Sequence, residues 1–346
     1  MVLFTVREYC RRVLFKSPAV VAVSWPLIFL GLCQAQERSF SVANGPIHFL
    51  AISPSGDLVA VDSFDFKASR HEIVLFDVEK GKTVATFRYE RLGSTFGGIV
   101  FSRDGKSVIA SGGGGGKAGI SYWGIADGGI TKQMVHQGGV MAMSDRWLIT
   151  RDFPVCKKIW VYDLETQKEV AKFDGLPTKV TDAAISPDGK HLALQDYDKV
   201  LRVLEVATGK EVCKKDYSAR MKWMLFVHDE PTLVATPITS GGSAILDLKA
   251  GKSTDIYFPA QAISADGKIA ARRGPFVEVT EKGLFKEYPD SVYAYSRQRK
   301  KVIATFPIEK DWKSGPIQFT PNNRFLVCAG AADGTVRVWD LSKLKP

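Results

Sequence analysis

Four short segments of the sequence bring together residue types that could bind or react. Each follows an apolar run, and three of them place an Asp beside an aromatic residue. The residues are Asp62, Phe64 and Asp65, then Asp152 and Phe153, then Asp196 and Tyr197, and finally Arg272, Arg273 and Phe276. Carboxylates can hold a divalent cation, and exposed aromatics beside charges are typical of protein-binding surfaces. A plainer interpretation is that each Asp caps a turn by hydrogen bonding to its own backbone.

A run of glycines, Gly112 to Gly116 before Lys117, has some features of a phosphate-binding loop. Such a loop needs Gly where this chain has Ser111, and Ser or Thr where it has Ala118. The following residues, ISYWGI, are typical of a strand, whereas a phosphate loop leads into a helix. The pattern therefore predicts a flexible hairpin loop between two strands.

Other motifs for catalysis or metal binding are missing from the sequence. None of the histidines forms a close pair with another His or with a Cys at the spacing of metal ligands. They are His48, His71, His136, His191 and His228. No Gly-x-Ser-x-Gly elbow is available to carry a serine nucleophile. The sequence therefore predicts no catalytic residue, no metal site and no cofactor.

The elements that position the four segments come from an internal repeat. AISPSGDLVAV (51–61) followed by EIVLFDVEKGKTVATF (72–87) has the same pattern as AISPDGKHLAL (184–194) followed by VLRVLEVATGKEV (200–212). Each copy reads as four strands, and variants recur roughly every 42 residues, a period typical of propeller blades.

Two kinds of turn separate the strands and give the number of copies. Ser-Pro-x-Gly reverses the chain tightly because Pro presets φ and Gly supplies a positive φ. This first turn recurs at Ser53, Ser102, Ser186 and Ser264, with weaker versions at Ser144, His228 and Thr320. The second turn, Gly-Lys or a variant, recurs at Gly81, Gly128, Thr166, Gly209, Gly251 and Arg299. The count is seven, and only the last copy ends before its second turn.

The two ends of the repeat region complement each other. The last copy supplies three strands, while an apolar-alternating segment at 39–46 precedes the first full copy. Because an open ring would expose unpaired strand edges, we expect Ser39 to Ala43 to complete the last blade. The predicted fold is all-β: a seven-bladed β-propeller of four-stranded antiparallel blades, closed by an N-terminal strand.

The final copy, AGAADGTVRVWDL at 329–341, resembles the end of a repeat in the WD-repeat (tryptophan-aspartate repeat) β-propellers. The name-giving dipeptide is Trp339-Asp340, and Phe76-Asp77 and Tyr162-Asp163 stand at the same place in other copies. The resemblance covers about nine-tenths of the chain and implies an interaction scaffold. Because the family's Gly-His dipeptide is missing from every copy, its His-Asp-Ser/Thr-Trp hydrogen-bond tetrad is not assumed here.

The N-terminal residues depart from the repeat. Basic residues between Arg7 and Lys16 precede an apolar run from Ala19 to Cys33, and a polar stretch begins at Gln36. This pattern is typical of a secretory signal peptide, and the run is shorter than the ~20 residues of a membrane-spanning helix. We expect residues 1–35 to be a signal peptide, with an uncleaved membrane anchor as the alternative, and 36–346 to be one propeller domain.

Charge and cysteine usage narrow the classes of partner. Removing residues 1–35 takes away four basic residues and one acidic residue, so the formal charge of +10 becomes +7. The basic residues are scattered over all copies, which favours a solvated surface over a nucleic-acid site. The three remaining cysteines, Cys156, Cys213 and Cys328, are an odd number at unrelated positions, and we expect packed free thiols.

The sequence supports three hypotheses about function. The first is a non-catalytic, monomeric scaffold or ligand-binding propeller of a divergent, exported bacterial kind, periplasmic or secreted, with a protein partner and no nucleic acid. The second is a lactonase-like hydrolase in which Asp62, Asp152 and Asp196 line the channel and hold a divalent cation. The third is a membrane-anchored sensor or complex subunit that retains residues 1–33.

Overall fold

Thirty strands make up the part of the chain that the computed structural model describes. The described residues are 37–42, 45–65, 70–89, 96–112, 117–238, 242–279, 285–309, 312 and 314–344. The predicted signal peptide and the glycine loop at 113–116 lie outside them. No helix within the described residues has the length and apolar character needed to cross a bilayer.

The strands group into seven blades, numbered here in chain order. Strand β1 is Glu37–Ser41. Blade 1 contains β2 (Ile47–Ile52), β3 (Leu58–Asp65), β4 (Arg70–Asp77) and β5 (Lys82–Tyr89); blade 2 contains β6 (Phe96–Phe101), β7 (Ser107–Gly112), β8 (Lys117–Gly124) and β9 (Ile130–Gln137); blade 3 contains β10 (Gly139–Met143), β11 (Trp147–Arg151), β12 (Ile159–Asp163) and β13 (Lys168–Phe173). Blade 4 contains β14 (Val180–Ile185), β15 (His191–Asp196), β16 (Val200–Glu205) and β17 (Glu211–Asp216); blade 5 contains β18 (Met221–Phe226), β19 (Thr232–Pro237), β20 (Ser243–Asp247) and β21 (Lys252–Ile256). Blade 6 contains β22 (Ala262–Ile263), β23 (Ile269–Arg273), β26 (Ser291–Ser296) and β27 (Lys301–Pro307), and an extra hairpin of β24 (Phe276–Val279) and β25 (Phe285–Tyr288) interrupts it; blade 7 contains β28 (Ser314–Phe319), β29 (Phe325–Gly330) and β30 (Thr335–Asp340).

Each blade is a four-stranded antiparallel sheet, and the seventh is completed by β1, which pairs with β30. The predicted fold class and ring closure are therefore confirmed. The closing strand begins two residues earlier than predicted, at Glu37, because its limits follow the register with β30, which pairs Glu37 with Trp339 and Ser41 with Thr335. Ala43, the predicted end of this strand, lies outside the described residues.

Side chains on β1 tie the last blade to the first. Glu37 accepts a hydrogen bond from the buried Arg337 of β30 at 2.8 Å. Arg38 donates 2.7 Å to the carbonyl of Glu79, in the turn between β4 and β5. The ring of Phe40 lies 6.1 Å from that of Phe76 on blade 1. The closing strand thus contacts both neighbouring blades.

A hydroxyl group holds the first turn in six of the seven blades. In five blades this hydroxyl accepts a hydrogen bond from the backbone N–H five residues later, at 2.9–3.0 Å; the residues are Ser53, Ser102, Ser186, Ser264 and Thr320. The same hydroxyl donates to a nearby side chain, as Ser102 does to Asp104 at 2.6 Å. This bond holds the pKa of the Asp104 carboxyl below its usual value. At the predicted glycines φ is positive, for example +74° at Gly189.

The core lies between neighbouring sheets. The repeated aromatics Phe76, Trp123, Tyr162 and Trp339 are all buried, so they pack as predicted. Trp339 stacks on Phe306 of blade 6 with ring centroids 5.2 Å apart. Its indole Nε1 has no hydrogen-bond partner among the described residues. Among the described residues, Trp339 is therefore held by apolar stacking and not by a hydrogen-bonded tetrad.

The up-and-down order of the strands gives the ring two faces. The turn face carries the connections between first and second strands and between third and fourth strands. The loop face carries the connections between second and third strands, together with the links from one blade to the next. The four candidate segments all lie toward the loop face, at the ends of the second strands or just after them, whereas β1 enters the ring at the turn face, beside the Glu79 turn.

Two glycines at the same repeat position test the closing contact. Gly81 and Gly251 have nearly equal φ, +63° and +64°, but a Cβ at Gly81 would overlap the Phe40 ring, whereas a Cβ at Gly251 would meet nothing within 4 Å. We expect Gly251→Ala to cost about 1 kcal/mol of unfolding free energy because of its φ. Gly81→Ala should cost about 1–3 kcal/mol more because it overpacks the closing strand. Denaturant unfolding of the two variants measures the difference, and equal losses would mean that Phe40 does not pack against blade 1.

Candidate functional site

Two of the candidate carboxylates close the loops in which they stand. Asp152 Oδ1 accepts a hydrogen bond from the backbone N–H of Lys158 at 2.7 Å. Asp196 Oδ1 accepts one from the backbone N–H of Val200 at 2.9 Å. Asp196 is buried, and its other oxygen lies 3.7 Å from Nε of Arg202. Both residues therefore act as turn caps in blades 3 and 4.

Asp62 is buried inside blade 1, where two histidines approach it. Its Oδ1 lies 3.5 Å from Nδ1 of His71, and its Oδ2 lies 3.9 Å from Nδ1 of His48. The ring of Phe64 packs edge-on against His71 at 5.0 Å. The backbone of Asp65 is paired with that of Arg70 across the sheet. This segment therefore contributes to the interior of its blade.

The arginine segment supports the extra hairpin of blade 6. Phe276 is buried, which contradicts its expected place among exposed aromatics, because the insert folds back and stacks Tyr288 on it with ring centroids 4.3 Å apart. The guanidinium of Arg272 lies over the Phe276 ring at 4.9 Å. Burial lowers the pKa of Arg272 to about 10, which leaves it charged at neutral pH.

Arg273 joins the hairpin to the next link between blades. It donates to the carbonyl of Trp312, and its guanidinium lies 5.4 Å from the centroid of the Trp312 ring. Asp290 lies 3.4 Å from its Nη2. A depression of about 470 Å³ opens beside this pair at the mouth of the central channel and is lined in part by Lys222, Trp223 and Pro316.

The structure does not bring the three candidate metal ligands together. Asp62, Asp152 and Asp196 belong to blades 1, 3 and 4, and each interacts within its own blade. Among the residues with described coordinates, no three His, Cys, Asp or Glu side chains are grouped so that they could hold a metal ion. The geometry therefore gives the lactonase-like arrangement no support.

The aromatic residues that follow the caps Asp152 and Asp196 are exposed to solvent. Phe153 is 83% exposed and Tyr197 is 61% exposed. Phe153 and Tyr197 occupy the same repeat position, because each is the seventh residue counted from the first residue of its second strand, β11 or β15. The seventh residue from the start of β19 in blade 5 is Ile238, which is 59% exposed and was missed from the sequence. Alignment of the copies on Ser144, Ser186 and His228 does not bring Ile238 into register with Phe153 and Tyr197, because the first turns differ in length.

We call Phe153, Tyr197 and Ile238 the apolar arc. Backbone hydrogen bonds support the equivalence of Tyr197 and Ile238, since Tyr197 donates to the carbonyl of Lys179 and Ile238 to that of Arg220, both at 2.8 Å. Of the large apolar side chains that are exposed among the described residues, the others lie on the loop face or on the outermost strands. Those on the loop face are Val155, Tyr257 and Val277, and those on outermost strands are Val84, Ile130, Val135, Val170 and Val212.

The three cysteines in the described residues are free thiols. Cys328 is fully buried in β29, and burial raises the pKa of its thiol to about 12. Cys156 is also buried, and Cys213 is half-buried on the outer strand β17. These thiols pack as small apolar groups, as the sequence led us to expect.

Seven four-stranded sheets closed into a ring define a β-propeller, and comparisons with known proteins agree. The family described as WD domain, G-beta repeat matches residues 317–340, in blade 7. No curated protein matches the chain. The crystal structure of the Cps50 (Swd1) β-propeller domain from Myceliophteria thermophila matches with a TM-score of 0.62 and 14% identity, over 89% of this chain and 100% of that one.

At 14% identity this likeness shows the fold alone. As many as 1640 solved chains match the structure, so the architecture does not distinguish one function from another. The residues that can make that distinction are the ones that differ between blades, and on the loop face these are the apolar arc and its neighbours.

The roles of Asp152 and Asp196 as caps lead to a prediction about stability and metal content. Changing either to Ala should lower the unfolding free energy by about 1 kcal/mol, because a backbone N–H loses its partner. The metal content of the purified protein, measured by elemental analysis, should not change. Stoichiometric metal that is lost in both variants would contradict this assignment and restore the hydrolase hypothesis.

Proposed function

We propose that this chain is a non-catalytic, protein-binding β-propeller that acts outside the cytoplasm and holds its partner on the loop face. The observation that carries the proposal is the apolar arc: three exposed apolar side chains at one repeat position in three consecutive blades. Exposure of apolar groups of this size to water is unfavourable in free energy, and where such groups cluster they mark interaction surfaces.

The arc is built on a rigid base. The caps made by Asp152 and Asp196 fix the loops that carry Phe153 and Tyr197. Ile238 follows a buried polar cluster in which the hydroxyl oxygens of Thr236 and Ser243 lie 2.6 Å apart, each within hydrogen-bond distance of a carbonyl, that of Ala260 or of Phe258. Anchors that are already ordered lose little entropy on binding, which favours affinity.

The matched repeat and the fold add a second line of support. The WD-type copy in blade 7 and the propeller architecture are those of proteins that present a broad face to partners. The carboxylates that a hydrolase would need are engaged within their own blades. A binding role therefore explains the exposed residues with fewer assumptions than catalysis does.

The arc can be tested against exposed apolar residues elsewhere. Phe153→Ser with Tyr197→Ser removes two arc residues, and Val170→Ser with Val212→Ser removes two exposed valines from outermost strands. In quantitative affinity capture from the native host, the arc variant should lose at least about tenfold of its specific partner, since each interface anchor contributes more than 1 kcal/mol. The valine variant should retain it. Equal recovery by both variants would disprove the proposed surface.

The proposed location rests on residues 1–35 and has its own test. The first strand starts at Glu37, so cleavage after Ala35 would leave the closing strand intact. N-terminal sequencing of the protein from its host should begin at Gln36. A chain that retains residues 1–33 in the membrane fraction would instead indicate an anchored subunit.

A further inference from the structure

We infer that the loop face of blades 3 to 5 binds an extended, acidic segment of the partner that also carries apolar side chains. This inference rests on the proposed function and specifies the chemistry of the partner. It comes from the charges that surround the apolar arc, which none of the repeat motifs determines.

Basic residues alternate with the arc. Lys179 and Arg220 each immediately precede the first strand of a blade, and their carbonyls accept the backbone N–H groups of Tyr197 and Ile238. Each arc residue in blades 4 and 5 therefore lies beside a basic residue. The guanidinium of Arg220 lies 4.6 Å from the centroid of the Tyr197 ring, which holds the charge against the arc.

Further basic residues extend this surface toward the channel. Lys222 lies over the ring of Trp223 at 4.5 Å, at the depression beside Arg273. Lys199 follows Tyr197 by two residues and donates to the carbonyl of Ser218 at 3.0 Å. The positive charges thus continue from the arc to the mouth of the channel.

Acidic side chains in this sector do not balance the basic ones. Asp152 and Asp196 serve as caps, and Asp174 pairs with Lys172 at 2.7 Å and with Lys158 at 3.5 Å. The exposed acids that remain are Asp198, Asp216 and Asp255, whereas the exposed basic residues are Lys157, Lys179, Lys199, Arg220 and Lys222. Electrostatic complementarity therefore favours an acidic partner.

The alternation of apolar and basic groups favours a peptide over other polyanions. An extended peptide presents successive side chains to opposite sides, so apolar and acidic residues can be placed along one strand. A nucleic-acid backbone would supply charge but no aliphatic partner for Ile238. The surface fits a peptide that uses both kinds of contact.

The test measures direct binding to the full chain by fluorescence anisotropy. The probe is a labelled peptide of about twelve residues that alternates Glu and Leu. Three further probes separate the contributions: a Glu–Ser peptide, a Lys–Leu peptide and a single-stranded DNA of similar charge. We expect saturable binding of the Glu–Leu peptide that weakens as salt rises, and much weaker binding of the other three.

Two triple variants remove the same amount of charge from opposite faces. Lys179→Ser, Arg220→Ser and Lys222→Ser clear the loop face, while Lys190→Ser, Lys210→Ser and Lys249→Ser clear exposed lysines from the turn face. The loop-face variant should bind the Glu–Leu peptide about tenfold more weakly, at about 0.5 kcal/mol per contact. The turn-face variant should bind like the wild type.

Three results would overturn the inference: no saturable binding of the Glu–Leu peptide, equal weakening by both triple variants, or equally tight binding of the Glu–Ser peptide, the Lys–Leu peptide or the DNA. Failure of the inference can be told from failure of the proposed function. If capture of the native partner depends on Phe153 and Tyr197 but not on the three basic residues, the binding surface stands and its acidic ligand does not. If capture depends on neither set, both fall.

Discussion

The pairing of β1 with β30 is the interaction on which the rest of the ring depends. Without it, blade 7 would have only the three strands of the last repeat, and β30 would be left as an unpaired edge strand. The pairing joins residues almost 300 positions apart, so its stability comes from tertiary contacts and not from local propensity. Arg337 illustrates this, because it is buried and is neutralised by Glu37 from β1 and by Glu309 from the preceding link. A buried arginine without such partners would be strongly destabilising.

Closure also decides what the carboxylates can do. A closed ring packs each blade against two neighbours, and its loops must turn within the narrow space between them. Asp152 and Asp196 meet this need by capping backbone N–H groups, and the caps in turn hold Phe153 and Tyr197 outward. The residues that look most reactive in the sequence are therefore structural, and the apolar residues beside them are available to a partner. The proposed function rests on these exposed apolar residues and not on the carboxylates.

Particular residues show which features of the structure could be predicted from the sequence. The turns at Ser102 and Ser186 were predictable because a Ser hydroxyl, an Asp and a positive-φ glycine act within a few residues of one another. Phe276 was misplaced because its burial depends on a hairpin that folds back from residues 285–288. Ile238 was missed because it has no charged neighbour to draw attention, and its exposure is visible only in three dimensions.

By itself, the sequence determined the number of blades, their four strands, the positions of the turns and the need for an N-terminal strand to close the ring. These features are local or periodic, so the repeat spacing, the proline and glycine positions and the alternation of apolar and polar residues are enough to predict them. The tertiary structure alone decided the limits of β1, the burial of Asp62 and Phe276, and the alignment of the apolar arc with Lys179 and Arg220. Burial and charge balance depend on which distant segments meet, and only the closed ring brings those segments together.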